Sequence, residues 1–120
     1  MDIFCKIMEG EIPSYTIFED EVVKVFLDVN PKVNGHALVV PKKHFKDLFD
    51  ISDETLLHIL KVAKELSPLI IEKLGADGVT LTENNGLYQE VKHFHLHIVP
   101  QYKVKQKKMT LEEVHDILTK

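Results

Sequence analysis

Residues His93 to Pro100 read His-Phe-His-Leu-His-Ile-Val-Pro. Three histidines alternate with apolar residues, and a period of two is that of side chains on an extended strand. On a strand over 91–99, His93, His95 and His97 share one face, and Phe94, Leu96 and Ile98 share the other. Alternate strand residues lie ~7 Å apart, so the imidazoles form a ladder ~13 Å long, comparable to a sugar with one or two phosphates. The apolar face can pack on a core and hold the ladder stiff. A half-buried strand whose solvent face merely carries histidine has the same pattern, but three of an uncommon residue in succession speak for chemistry.

Two chemistries suit such a ladder. Imidazole is a common metal ligand, and histidines at i and i+2 can share a zinc ion. Such a site wants further ligands, however, and Ile98-Val99-Pro100-Gln101 supplies nothing acidic directly after the triad. The second chemistry is phosphoryl transfer. A neutral imidazole is a good nucleophile toward phosphorus, and its neighbours can bind oxygens and protonate a leaving group. With an ordinary pKa near 6.5, one residue type can fill all these roles near neutral pH.

The elements that must position the ladder follow from pattern. Residues 2–9 predict a short helix closed by Gly10, since Ile3, Phe4 and Ile7 are helically spaced. Residues 15–19 and 22–28 predict two strands joined by the acidic turn Glu19-Asp20-Glu21, and 36–41 a buried third strand ended by Pro41. The stretch 30–35 between the second and third is a loop. Residues 53–74 predict the longest helix, capped by Ser52 and stopped by Gly75, with the apolar stripe Leu56, Leu60, Ala63, Leu66, Ile70 and Leu74. Pro68 is expected to kink or interrupt it. A strand at 78–83 and a turn at Asn84-Asn85-Gly86 lead into the histidine strand. Residues 103–108 read as a mobile basic tail, and Thr110 with Glu113 forms a capping box that starts a last helix. The sum is an α+β protein: a five-stranded antiparallel sheet with one long helix and short terminal helices.

At 120 residues, with 44% hydrophobic and 28% charged residues, a single domain over 1–120 is the simplest organisation, its core at about 2–102. The net charge of −4 argues against a general nucleic-acid binder. The single cysteine, Cys5, cannot form an internal disulfide, and no signal peptide or spanning segment is visible, so a cytoplasmic protein without membrane contact is expected.

The string His93-Phe-His95-Leu-His97-Ile-Val resembles the histidine triad motif, and the likeness extends in order along the chain. Asp2-Ile-Phe-Cys-Lys-Ile-Met8 with Glu11-Ile-Pro13, Phe26-Leu-Asp28-Val-Asn-Pro31, Gly35-His36-Ala-Leu-Val-Val-Pro41-Lys-Lys-His44, and Asn84-Asn-Gly86 with Gln89-Glu-Val91 are similar to the family's other blocks. Size and block pattern suit its small Hint-like bacterial-type branch, with the dinucleoside-polyphosphate branch as the nearest competitor.

The resemblance implies a nucleotide hydrolase acting at the α-phosphorus of a purine nucleoside phosphate or phosphoramidate, such as adenosine 5′-monophosphoramidate. His95 would be the nucleophile that forms a transient nucleotidyl-histidine. His97 would contact phosphate, His93 would orient and support, and His36 would stand near the leaving group. Asp28 would bind the ribose hydroxyls, and Asn84 and Gln89 would line the phosphate side. Ile3, Phe4, Ile7, Phe26 and Val29 would form the base slot. The resemblance further implies a homodimer with joined sheets, and no cofactor is required for the chemistry. His58 and His115 match nothing and read as surface or packing residues.

Three departures stand out. Bulky Leu87-Tyr88 follows Gly86 where relatives carry a glycine-containing loop, and Glu90 replaces a small hydroxyl residue. Relatives that bind structural zinc do so through two cysteines, the histidine of Pro-x-x-His and the first triad histidine; here Cys5, His44 and His93 match, but Asp2 replaces the other cysteine. A weak zinc site of Asp2, Cys5, His44 and His93 is therefore considered. Three functional classes remain open: a nucleotidyl hydrolase, a metalloenzyme using the triad as ligands, and a nucleotide-binding regulatory module with vestigial catalysis.

Overall fold

The computed structural model describes residues 2–120. In chain order it contains α1 (Ile3–Met8), β1 (Thr16–Glu19), β2 (Val23–Leu27), β3 (Ala37–Pro41), α2 (Asp53–Leu74), β4 (Gly78–Thr82), β5 (Leu96–Gln101) and α3 (Leu111–Thr119). The five strands form one sheet in the order β1-β2-β3-β5-β4, with antiparallel neighbours throughout. The expected α+β architecture is the observed one.

Period-two alternation divides the sheet between two packing layers. Val23, Val25, Leu27, Val39, Phe94, Leu96 and Ile98 face Ile59, Val62, Ala63 and Ile70 of α2. Phe26, Leu38 and Val40 face the other way, toward Phe4 and Ile7 of α1. Val114 and Leu118 of α3 join the α2 side, and the Thr110–Glu113 capping box begins that helix as expected. His58 Nε2 lies 2.6 Å from Asp20 Oδ2, and His115 Nε2 donates to the Thr16 carbonyl. These two histidines tie helices to the β1–β2 end of the sheet, a packing role.

Several expectations need correction. The histidine strand starts at Leu96, not at 91. The β3–β5 register pairs Val39 with Leu96, which puts Pro41 opposite Phe94. Pro41 has no N–H to donate, so the ladder stops, and the Phe94 N–H donates instead to the Phe45 carbonyl at 2.7 Å. The turn after β4 falls at Gly86–Gln89 rather than 84–86, closed by Gln89 N–H to the Gly86 carbonyl with Gly86 at φ +89°. Asn85 is occupied elsewhere, accepting from Leu48 N–H and donating to Glu83.

α2 runs from its Ser52 cap to Gly75 without a break at Pro68. Pro68 and Lys64 both lie on the exposed side, where water can serve the carbonyl that loses its donor. The buried stripe is rotated slightly from expectation, onto Ile59, Val62, Ala63, Ser67 and Ile70, and Leu60 is 46% exposed. Residues 103–108 are fastened rather than loose. Asn34 donates to the Lys107 carbonyl and accepts from Met109 N–H, and its own carbonyl accepts from Tyr102 Oη. Gly35, at φ +90°, packs so closely on Leu74 and Pro100 that a side chain there would strike both, which fixes the approach to His36. Among the described residues no helix is long and apolar enough to cross a membrane.

Candidate active site

The end of β2, the start of β3 and β5 converge on a cleft of about 490 Å³. Asp28, Lys32, His36, Asn84, His95 and His97 are among its lining residues. An apolar recess of about 230 Å³ adjoins it, sharing Asp28, Asn30, Glu90, His95 and His97. Phe4, Ile7 and Phe26 form the buried floor of that recess, while Ile3 and Val29 stand exposed at its edge. Phe4 meets His95 edge-on, with ring centroids 4.9 Å apart, and so braces the ring from the α1 side. An apolar slot beside a polar cleft with histidines at the junction fits a nucleoside joined to a phosphoryl group.

Backbone groups decide what each histidine can do. A carbonyl oxygen only accepts, so His95 Nδ1, 2.8 Å from the His93 carbonyl, carries the proton, and Nε2 of the neutral ring keeps its lone pair. His93 is the mirror case: its Nε2 donates to the Pro41 carbonyl at 2.9 Å, leaving Nδ1 as an acceptor. Lys32 N–H donates to His36 Nδ1 at 3.1 Å, so the proton of neutral His36 sits on Nε2 and is given to His97 Nδ1 at 2.9 Å. His97 must then carry its own proton on Nε2. Toward the cleft the triad thus offers one lone pair, on His95, beside one neutral N–H donor, on His97.

Electrostatics keep His36, His95 and His97 uncharged. Burial is the main cause in each case. It holds His36 and His95 below the ordinary histidine value, against the pull of Asp28. His97 is pushed down to about 4 by burial and by its neighbours His95 and His36. An uncharged ring is the form in which Nε2 of His95 can attack phosphorus.

A second cluster lies behind His93. Asp2 Oδ2, Cys5 Sγ, His44 Nδ1 and His93 Nδ1 all fall within 4.8 Å of one another. Cys5 Sγ is 3.5 Å from His44 Nδ1 and 3.6 Å from His93 Nδ1, and Asp2 Oδ2 is 3.0 and 3.3 Å from the same two nitrogens. Tetrahedral zinc with ordinary bond lengths has ligand-to-ligand edges of roughly 3.6 Å for N to S and roughly 3.3 Å for N to O. The donor set fits such an ion in type and spacing. Asp2 Oδ1 is engaged as the α1 cap, accepting from Cys5 N–H, so Oδ2 is free to ligate. Burial and the Asp2 carboxylate push the Cys5 thiol up, a charge imbalance that a cation would relieve. None of Asp2, Cys5 and His44 is among the residues lining the cleft, so an ion held there would brace α1 and His93 without meeting a substrate.

The triad histidines do not converge on one ion. His93 turns to the Asp2 cluster, His97 pairs with His36 beside Asp28, and His95 joins neither grouping. Asp28 Oδ2 is 3.6 Å from His36 Nε2, beyond hydrogen-bond length, and its other oxygen accepts from Asn30 N–H. Gln89 is absent from the cleft wall; it is 3% exposed and donates to the Lys46 carbonyl. Leu87 and Tyr88 are largely exposed, Tyr88 lining the cleft, and Glu90 stands where cleft and recess meet. Sequence reasoning missed Asn30, Lys32 and Thr82. Thr82 is the register partner of His97, a relation visible only once β4 is paired. Lys32 lies in a loop, where no periodicity marks the inward residue.

The depressed His97 value sets a pH test. Because the folded state prefers the neutral ring while the unfolded chain protonates near 6.5, this contribution to stability is full above pH 6.5 and is lost as pH falls toward 4. The His97 ring resonances should titrate with a midpoint about 4 by NMR. A midpoint at or above 6.5 would contradict the buried neutral pair with His36.

The chain is similar to known proteins along most of its length. The HIT domain family matches residues 9–104. A HIT-like protein of Methanocaldococcus jannaschii is 47% identical over 104 residues, covering 85% of this chain and 80% of its own length. The adenosine 5′-monophosphoramidase of Saccharomyces cerevisiae is 41% identical over 101 residues, covering 82% of this chain and 61% of its own. Among solved structures, a zinc-bound histidine triad family protein from Mycobacterium smegmatis superposes with a TM-score of 0.90 at 35% identity, covering 98% of this chain and 89% of that one. The chain belongs to the HIT domain family.

Proposed function

We propose that this protein hydrolyses a nucleoside 5′-phosphoryl compound, most simply an adenosine phosphoramidate, through a nucleotidyl-histidine on His95. The observation that carries the reading is the His95 ring: its Nδ1 proton is held by the His93 carbonyl, which leaves the lone pair on Nε2, and the residue lines both the apolar recess and the polar cleft. The yeast relative, named as an adenosine 5′-monophosphoramidase, supports the substrate class. The base would enter the recess over Phe4, Ile7 and Phe26, edged by Ile3 and Val29. The ribose hydroxyls would meet Asp28, a carboxylate that can accept two protons.

In the first step Nε2 of His95 forms a bond to the α-phosphorus. The bond from phosphorus to the departing nitrogen breaks, and that nitrogen keeps the electron pair and takes a proton from water. His97 Nε2–H donates to a phosphoryl oxygen, with His36 holding it in that tautomer and Asn84 lining the same wall. In the second step a water oxygen attacks phosphorus and gives its proton to the hydroxide left by the first step, the Nε2–phosphorus bond breaks, and the pair returns to His95. The products are the nucleoside monophosphate and the free amine. His93 acts through its carbonyl as a positioning residue.

We further infer that Asp2, Cys5, His44 and His93 hold a structural zinc ion, the geometry of their donor atoms being the support. We also infer a homodimer: β4 is an edge strand with one side unpaired, and Leu57 and Leu60 of α2 are exposed.

His95→Ala should lower kcat/KM for an adenosine phosphoramidate by about 10³-fold or more while AMP still binds. Intact mass measured during turnover should show one transient adenylyl group, absent from the variant; full activity in the variant ends the reading. Zinc should bind one per chain, and its removal by chelator should lower Tm by ~5 °C or more. No binding above the level of a Cys5→Ala, His44→Ala variant rejects the metal. Sedimentation equilibrium should give twice 13.8 kDa, and a monomer at micromolar concentration rejects the dimer.

A further inference from the structure

A cavity of about 590 Å³, larger than the catalytic cleft, opens between the β2–β3 loop and the segment after β5. Lys32, Lys103, Lys105 and Lys108 line it with Asn34 and Gln106, and no carboxylate does. That concentration is unusual in a chain whose 19 acidic residues outnumber its 15 basic ones. Nor are the lysines carried on a loose tail. The Asn34 side chain grips Lys107 and Met109, and its carbonyl takes the Tyr102 hydroxyl, so the segment bearing three of the four is held against the loop bearing the fourth.

Lys32 lines both this cavity and the catalytic cleft, so the two border on one cationic side chain. Its charge also reaches the reacting groups, where it disfavours protonation of His36 and His97. The other fixed charges on the cleft wall are Asp28 and Glu90, which repel an anion. A negatively charged chain leaving the α-phosphorus therefore finds its attractive route past Lys32. A clustered field of one sign between low-dielectric walls raises the local concentration and capture rate of a polyanion.

We propose that the lysine cavity binds a multiply charged phosphate chain and seats the leaving-group end of a nucleotide whose α-phosphorus lies at His95. The placement of the α-phosphorus rests on the nucleotidyl-transfer reading above, whereas binding of the chain does not. The chemistry admits two sources, a phosphate chain carried by the nucleotide itself or a free polyphosphate anion. The first is favoured because Lys32 borders both the cavity and the cleft.

The test compares the full-length protein with its Lys103→Glu, Lys105→Glu, Lys108→Glu variant, whose altered residues are all exposed. Isothermal titration with sodium tripolyphosphate, on AMP-saturated protein, should show binding that the variant loses by about tenfold or more and that added salt weakens. In parallel, kcat/KM for adenosine 5′-tetraphosphate should fall by about tenfold or more in the variant, while that for an adenosine phosphoramidate with an uncharged amine changes less than ~2-fold. Equal tripolyphosphate affinity in both proteins overturns the proposal. Binding lost in the variant without any change in the ratio of the two kcat/KM values overturns the leaving-group assignment in favour of a free-anion site. If neither nucleotide is turned over, the nucleotidyl-transfer reading falls, and the titration still decides the cavity.

Discussion

The His93 carbonyl oxygen lies 2.8 Å from Nδ1 of His95, and a carbonyl can only accept. A neutral imidazole has one proton for two nitrogens, so this contact fixes where the lone pair of His95 must be. The same logic runs through the cleft. The Pro41 carbonyl sets His93, and the Lys32 amide sets His36, which in turn sets His97. Burial keeps His36, His95 and His97 neutral, so their assignments are not erased by protonation at ordinary pH. Four identical side chains thereby acquire different chemistry, three directly from main-chain groups and His97 through His36.

Where the sheet stops matters as much as where it runs. Pro41 cannot donate to a partner, and β5 leaves the ladder opposite it. Residues 93–95 then follow a path held by the Phe45 carbonyl, and His93 becomes fully buried between the sheet end and α1. One imidazole is thus withdrawn from the cleft into the Asp2, Cys5 and His44 cluster, while its carbonyl stays behind to serve His95. A strand continued to residue 91 would have kept the three rings evenly spaced and interchangeable. The interruption separates a supporting site from the cleft over a distance of two residues.

Much of the architecture was legible from pattern. The alternation of His93 to Ile98 placed Phe94, Leu96 and Ile98 in the α2-facing core, where they lie. The Ser52 cap, the Gly75 stop and the Thr110–Glu113 box marked helix ends, because caps are local hydrogen-bond chemistry. What failed was long-range. Pro68 looked like a break, but a proline on the exposed side of a helix leaves its orphaned carbonyl to water. The basic segment 103–108 looked loose, since nothing local shows that Asn34, some seventy positions earlier, grips it. Gln89 looked like a cleft residue, yet the Gly86–Gln89 turn swings it onto the Lys46 carbonyl.

By itself the sequence determined the fold class, the strand and helix order, the core-facing alternation of Phe94, Leu96 and Ile98 and the likeness to a nucleotide-handling family. Those properties reside in periodicity, capping and residue type, which act over a few positions. Only the tertiary structure decided which nitrogen of each ring holds the lone pair, which ring is drawn into the Asp2, Cys5 and His44 cluster, and that Lys32 borders both the cleft and a second, basic cavity. Each of these depends on an atom from a distant segment arriving within hydrogen-bonding or Coulombic reach, and no local pattern encodes that arrival.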